Sequence, residues 1–141
     1  MKDLILFGDC KKTLKQFPRG SAQMCVTSPP YYGLRDYGGE ESQIGQEETP
    51  EEFIQSLVEV FREVRDVLSD DGVLWVNIGD SYYNYRPGKG QAMVQQTVSN
   101  TVRDQPQKCA RRGNKLKGLK EKDMIGIPLM LAFALRAYGW Y

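Results

Sequence analysis

The chain is built from short apolar runs that end abruptly on glycine, proline or charge. Leu4-Ile5-Leu6-Phe7 is a continuous apolar run closed by Gly8-Asp9, the pattern of a buried strand in a parallel sheet. Cys10 to Phe17 predicts a short helix, stopped by Pro18 and Gly20. Ala22 to Thr27 predicts a second strand, whose end is enforced by Pro29 and Pro30, which cannot donate ladder hydrogen bonds. Gly33 to Glu48 is rich in glycine and charge and reads as loop. Thr49-Pro50-Glu51-Glu52 is a helix start: Thr49 suits the N-cap, Pro50 the first helical position, and Glu52 completes a capping box. Phe53, Leu57, Val58, Phe61, Val64 and Leu68 then recur at helical spacing and form one apolar face. Ser69-Asp70-Asp71-Gly72 ends that helix, and Val73 to Ile78 predicts a third strand, closed by Gly79-Asp80. From Ser81 to about Gly118 no periodicity holds, so 81–118 reads as a long insert. Lys120 to Tyr138 predicts a last helix, with Ile125, Leu129, Ala132, Phe133 and Ala137 on one side and Pro128 marking a shifted first turn. Gly139-Trp140-Tyr141 reads as the opening of another strand.

This order of strands and helices predicts an α/β fold: one domain over 1–141, an open, mostly parallel sheet with flanking helices and right-handed crossovers. Ligands of such sheets lie beyond the carboxyl ends of the strands. Three ends carry polar residues, Gly8-Asp9, Thr27-Ser28 and Gly79-Asp80, and are expected to converge on one cleft. Trp75 is expected in the core.

Composition adds a charge split. The 141 residues carry a net charge of +1 with 26% charged residues, an ordinary soluble balance. Yet Arg86 to Lys120 holds nine basic residues against Asp104 alone, a net +8 that leaves −7 for the rest. A basic stretch on an acidic body points to a polyanionic partner, or to a solvated loop. Cys10, Cys25 and Cys109 are odd in number and far apart, which fits a reducing cytosol better than disulfides or a zinc site. The chain has no histidine, which removes Ser-His and Cys-His nucleophilic catalysis. No signal peptide or membrane-spanning run is visible. Gly88-Lys89-Gly90 lacks the spacing and the following hydroxyl of a phosphate loop.

The stretch with chemistry is Ser28-Pro29-Pro30-Tyr31. The two prolines fix φ and remove two N–H donors, so the backbone there offers carbonyl oxygens only. Ser28 adds a side-chain acceptor, and Tyr31, with Tyr32, offers flat faces. Such a ledge suits a planar group bearing an NH2, as on a nucleobase. That amine is a poor nucleophile because its lone pair is delocalised into the ring. Two acceptors on its hydrogens draw the nitrogen toward tetrahedral geometry and free the pair. A stacked ring, worth roughly 1–3 kcal/mol per base, holds the base in line with an electrophile. Orientation beside that electrophile can supply on the order of 7–11 kcal/mol. The base must leave a duplex to reach the ledge.

Val26-Thr27-Ser28-Pro29-Pro30-Tyr31 resembles the signature of the amino-directed DNA methyltransferases, most closely the cytosine-N4 branch, where serine precedes the prolines; the adenine-N6 branch more often has Asp or Asn. The likeness extends to Leu6-Phe7-Gly8-Asp9-Cys10, to Gln43-Ile44-Gly45, to the helix from Thr49, and to Leu74 through Tyr82. It resembles members in which the catalytic motif precedes the cofactor motif. The resemblance implies a partial Rossmann-like, class I S-adenosylmethionine-dependent methyltransferase fold. It implies that Ser28, Pro29, Pro30 and Tyr31 are catalytic, with Ser28 and the Pro29 carbonyl holding the amine and Tyr31 stacking on the flipped base. It implies Asp9, Thr27 and Ser28 at S-adenosyl-L-methionine, with Asp80 a weaker pocket-lining candidate. Tyr32, Arg35, Arg111 and Arg112 are the expected contacts to double-stranded DNA, Arg111 and Arg112 more to phosphates than to bases. No metal is implied. The setting is the cytoplasm of a bacterium, or phage-encoded, with no membrane partner. Asp9 also suits a helix N-cap, a role compatible with cofactor binding.

The family's glycine-rich loop of the Asp-Pro-Phe-x-Gly-x-Gly kind is not found in these residues. The chain is therefore expected to be the N-terminal half of a longer enzyme, a remnant, or one of two complementing chains or copies, and to be inactive alone. Two other readings stand beside this one. One is a non-catalytic nucleic-acid-binding module that uses Arg86 to Lys120. The other is a methyltransferase acting on RNA or on protein glutamine.

Overall fold

The computed structural model describes residues 3–34, 43–83, 116 and 118–141. A short helix α1 (Cys10–Thr13) runs into a 3₁₀ turn (Leu14–Gln16), followed by strand β1 (Ala22–Thr27). Helix α2 (Pro50–Val67), strand β2 (Leu68–Val76) and helix α3 (Ile127–Ala137) complete the order.

The predicted capping box forms at Thr49. Its hydroxyl accepts from the Glu52 N–H at 3.2 Å, and the Glu52 carboxylate accepts from the Thr49 N–H at 3.2 Å. Pro50 occupies the first turn, where its missing N–H costs nothing. The helix so started buries one face: Phe53, Leu57, Val58, Phe61 and Val64, with Ile54 added. Burying each large side chain of this kind contributes roughly 1.5–3 kcal/mol. Against that face pack Ile127 and Leu131 of α3 and, partly buried, Cys25, Leu74 and Val76 of the sheet.

β1 and β2 pair in parallel, with Met24 opposite Val73, Cys25 opposite Leu74, Val26 opposite Trp75 and Thr27 opposite Val76. β2 begins at Leu68, five residues before the expected start, but its ladder is irregular between the Ala22 and Met24 pairings. The polar stretch from Ser69 to Gly72 fills that irregularity, folded on itself by the Ser69 hydroxyl donating to Asp71 at 2.8 Å.

Five sequence expectations are corrected. Residues 4–7 form no strand and stay exposed, Phe7 at 90%. A strand is held by hydrogen bonds to a neighbour, and among the described residues the sheet has only two strands. Trp75 is not in the core: with Met24, Val26 and Val73 it stands on the open face of the sheet. The last helix starts at Ile127 rather than Lys120, because Pro128 fits only a first turn and Gly126 turns the chain in the left-handed region at φ 90°. It also presents the other face inward: Ile127 and Leu131 are buried while Leu129, Ala132 and Phe133 are exposed.

Gly139-Trp140-Tyr141 does not open a strand. It finishes α3, with Gly139 at φ 88°, its N–H on the Arg136 carbonyl at 3.0 Å and the Trp140 N–H on the Leu135 carbonyl at 3.1 Å. That is the Schellman arrangement. Arg65 of α2 donates to the Tyr138 carbonyl and ties this end to the helix pair.

No helix among the described residues is long and apolar enough to cross a membrane.

Candidate functional site

The parallel pairing outlasts the strands by one bond: the Asn77 N–H donates to the Thr27 carbonyl at 2.9 Å. Residues 28–31 and 77–80 therefore leave the sheet side by side, as expected for the carboxyl ends of adjacent parallel strands. Ser28 is exposed, and among the described residues nothing engages its hydroxyl. Pro29 is half-buried and Pro30 exposed, and neither has an N–H. The ledge thus carries an exposed hydroxyl and two residues without N–H donors.

Tyr31 is half-buried against two backbones. A Cβ on Gly79 would stand 3.0 Å from its ring Cε2 and 3.4 Å from Cδ2, so the ring lies directly on the Gly79 main chain. Behind it, a Cβ on Gly45 would stand 3.0 Å from the Tyr31 carbonyl oxygen and 3.3 Å from Pro30 Cβ. Gly45 is buried at φ 100° and accepts from the Gly33 N–H at 2.9 Å, while its own N–H donates to the Glu47 carboxylate at 2.8 Å. The segment from Gln43 to Gly45, matched to the family by sequence, thereby braces the ledge from behind.

Tyr32 turns the opposite way. Its ring sits 5.4 Å from that of Phe53 at 43°, and its hydroxyl donates to the Glu48 carbonyl at 3.1 Å. Burial, then the carboxylates of Glu51, Glu47 and Glu52, push its phenol up to about 12. Expected as a DNA contact, Tyr32 is placed as an anchor between the ledge and the start of α2. Its backbone carbonyl accepts the Ser81 hydroxyl at 3.0 Å.

Asp80 organises the neighbouring loop. Its Oδ1 accepts from the N–H groups of Ser81 at 2.8 Å, Gly126 at 2.9 Å and Ile127 at 2.9 Å, and Oδ2 also takes Gly126 at 3.0 Å. It caps α3 from 46 residues away, since Gly126 at the N-cap has no side chain to do so. Just beyond, the Ile125 N–H donates to the Ser81 carbonyl at 2.9 Å, the Tyr83 N–H to Asp123 at 2.8 Å and the Lys122 N–H to Tyr83 at 2.7 Å. This short antiparallel ladder joins both roots of the insert beside the ledge.

Asp9 caps α1: its Oδ1 accepts from the Lys11 N–H at 2.9 Å. Among the described residues no contact links it to the ledge. The three expected strand ends thus split: Thr27-Ser28 and Gly79-Asp80 meet, while Gly8-Asp9 ends no strand. Arg35, Arg111, Arg112 and nearly all of the basic stretch lie outside the described residues. Burial pushes the Cys25 thiol up, which suits a packing residue rather than a nucleophile. Among the described residues no cluster of three metal-ligating side chains exists.

Sequence reasoning missed Gly45, Gly79 and Ser81. The signal for the glycines was present, each lying in a segment that flanks the ledge, but only coordinates show which residue needs the space.

Chemically, the arrangement offers a rigid edge of acceptors and an aromatic ring fixed on a backbone shelf, beside the root of a basic insert. The sequence model of the DNA methylase family N6_N4_Mtase matches residues 22–125. The type II methyltransferase M.Cfr9I of Citrobacter freundii is 46% identical over 134 residues, which cover 95% of this chain and 42% of that protein. M.XycI of Xanthomonas campestris pv. cyanopsidis is 46% identical with the same coverage. M.SmaI of Serratia marcescens is 42% identical over 97% of this chain and 44% of its own length. The chain therefore spans less than half the length of these relatives. No solved structure matches. With the family model covering most of the chain and the ledge lying inside the match, this chain belongs to the N6/N4 DNA methylases.

Proposed function

We propose that the chain carries the base-binding and catalytic part of a DNA amino-methyltransferase, acting on the exocyclic amine of a flipped base, with cytosine N4 as the target. The observation that carries this reading is the exposed Ser28 hydroxyl at the head of a proline-locked ledge whose next ring, Tyr31, is seated on the Gly79 backbone. The Ser28 oxygen and the Pro29 carbonyl accept hydrogen bonds from the two amine hydrogens and localise the nitrogen lone pair. The Tyr31 ring stacks on the base and holds that pair in line. Serine before the prolines favours cytosine over adenine.

S-adenosylmethionine supplies the electrophilic methyl group when bound. The residues assigned to it fit in part. Thr27 and Ser28 stand at the end of β1. Asp9 keeps Oδ2 free among the described residues, an acceptor for a hydroxyl or amine on the cofactor. The remaining length of the relatives is the expected source of the rest of the cofactor site. The open apolar face of the sheet supports the need for such a complement, from further polypeptide or from a second copy. Duplex DNA is the substrate partner, and the cytoplasm of a bacterial or phage-infected cell the matching compartment.

The test measures transfer of labelled methyl groups to duplex DNA. The 141-residue chain alone is expected to be silent. A hybrid in which it replaces the matching part of M.Cfr9I is expected to be active. In that hybrid Ser28→Ala and Tyr31→Ala should abolish transfer while circular dichroism stays unchanged. Full activity in both variants would remove the assigned roles.

A further inference from the structure

A side chain at Gly79 would meet the Tyr31 ring. The φ of Gly79 lies outside the left-handed region, so its backbone conformation is open to any residue. What excludes a side chain is the Tyr31 ring, 3.0 to 3.6 Å from where a Cβ would sit at Cε2, Cδ2 and Cζ. Gly45 differs, because its φ of 100° demands glycine whatever the space. Gly79 is also pinned from both directions: Asn77 is bonded to Thr27, and Asp80 to the start of α3. The shelf under the ring therefore cannot retreat, and an added methyl group would move the ring instead.

We propose that Gly79 is a positioning residue for the transfer, setting the plane in which Tyr31 presents its face to the base. This rests on the reading of Tyr31 as the stacking ring. Carbon pairs at 3.0 Å are well inside normal contact, so Gly79→Ala displaces the ring by a few tenths of an ångström, and Gly79→Val displaces it further. Since a misplacement of about 1 Å can cost on the order of a hundredfold in rate, the alanine variant should lose roughly tenfold.

Two measurements test it. In the 141-residue chain, aromatic NMR should show cross-peaks between the Gly79 α protons and the Tyr31 ring. Gly79→Ala should shift the Tyr31 ring resonances while leaving those of Tyr32, anchored on Glu48, in place. In the M.Cfr9I hybrid, Gly79→Ala should lower kcat about tenfold, Gly79→Val should lower it more, and KM for DNA and the melting temperature should hardly move. Missing cross-peaks, a general shift of all tyrosines, or a kcat unchanged in Gly79→Val would overturn the role of Gly79. If Ser28→Ala and Tyr31→Ala are inactive while Gly79→Val is normal, the inference fails and the methyltransfer reading stands. If Tyr31→Ala is fully active, the reading itself fails.

Discussion

The Asp80 carboxylate caps the helix that begins at Ile127, with Oδ1 2.9 Å from the Ile127 nitrogen. One side chain just beyond the end of β2 thereby fixes the loop beside the proline ledge and the first turn of α3. N-cap loss typically costs about 0.5–2 kcal/mol, and hydrogen bonds to an ionised acceptor are the stronger kind. Asp80→Ala is expected at the upper end, about 2 kcal/mol by urea denaturation, and Asp80→Asn, itself a good N-cap, at less than half of that. Equal losses for the two variants would show that the capping geometry is not what Asp80 contributes.

The Thr49 box makes a separable contribution at the other long helix. Thr49→Ala removes the acceptor for the Glu52 N–H and should destabilise by about 1 kcal/mol. Glu52→Gln keeps a side-chain acceptor for the Thr49 N–H and should cost much less. Combined with Asp80→Ala, the Thr49→Ala loss should add within about 0.5 kcal/mol, because the two caps share no partner. Chemical denaturation of the double variant measures this directly.

Tyr32 makes stability depend on alkaline pH. Its folded phenol titrates at about 12, above the ordinary value of 10, because burial and then Glu51, Glu47 and Glu52 disfavour the phenolate. A raised folded value stabilises fully below the unfolded value and is lost as pH climbs through the folded one. Stability should therefore fall between pH 10 and 12, and Tyr32→Phe should flatten that part of the fall. At neutral pH the same variant loses only the bond to the Glu48 carbonyl, about 1 kcal/mol. A wild-type profile that matches Tyr32→Phe throughout the alkaline range would refute the assignment.

The sequence told most where one local signal sufficed. β1 spans Ala22 to Thr27 as read, since Pro29 and Pro30 leave no other end. α2 matched because its polar and apolar faces are distinct: Phe53, Leu57, Val58, Phe61 and Val64 are buried as read, with Ile54 missed and Leu68 buried at the start of β2 instead of on the helix. α3 failed on facing because it is apolar on both sides: Leu129 and Phe133 are as hydrophobic as Ile127 and Leu131, and only packing against α2 chooses between them. Leu4 to Phe7 failed because strand propensity does not supply a neighbouring strand. At the site, the sequence singles out residues 28–31, and the structure leaves Ser28 exposed at the end of β1. The seat of Tyr31 was not legible, because Gly79 lies 48 positions away and is brought there by parallel pairing. Tyr31 and Tyr32 look alike in sequence, yet one rests on that seat and the other enters the core.

The open face of the sheet should govern how the chain behaves in solution. Met24, Val26, Val73 and Trp75 stand on it together, Val26 at 70% and Trp75 at 64% exposure, and parallel sheets are normally covered on both sides. A contiguous apolar surface of this kind drives association. The 141-residue chain should therefore self-associate with rising concentration in sedimentation experiments. The Val26→Lys and Trp75→Lys pair should return it toward monomer. Because both side chains are exposed, the pair should change unfolding free energy by no more than about 0.5 kcal/mol each, the range of ordinary surface substitutions. In the M.Cfr9I hybrid further polypeptide covering this face would bury the two charges without partners, so the same pair should be severely destabilising there. Equal tolerance in both settings would mean that this face stays open in the longer protein.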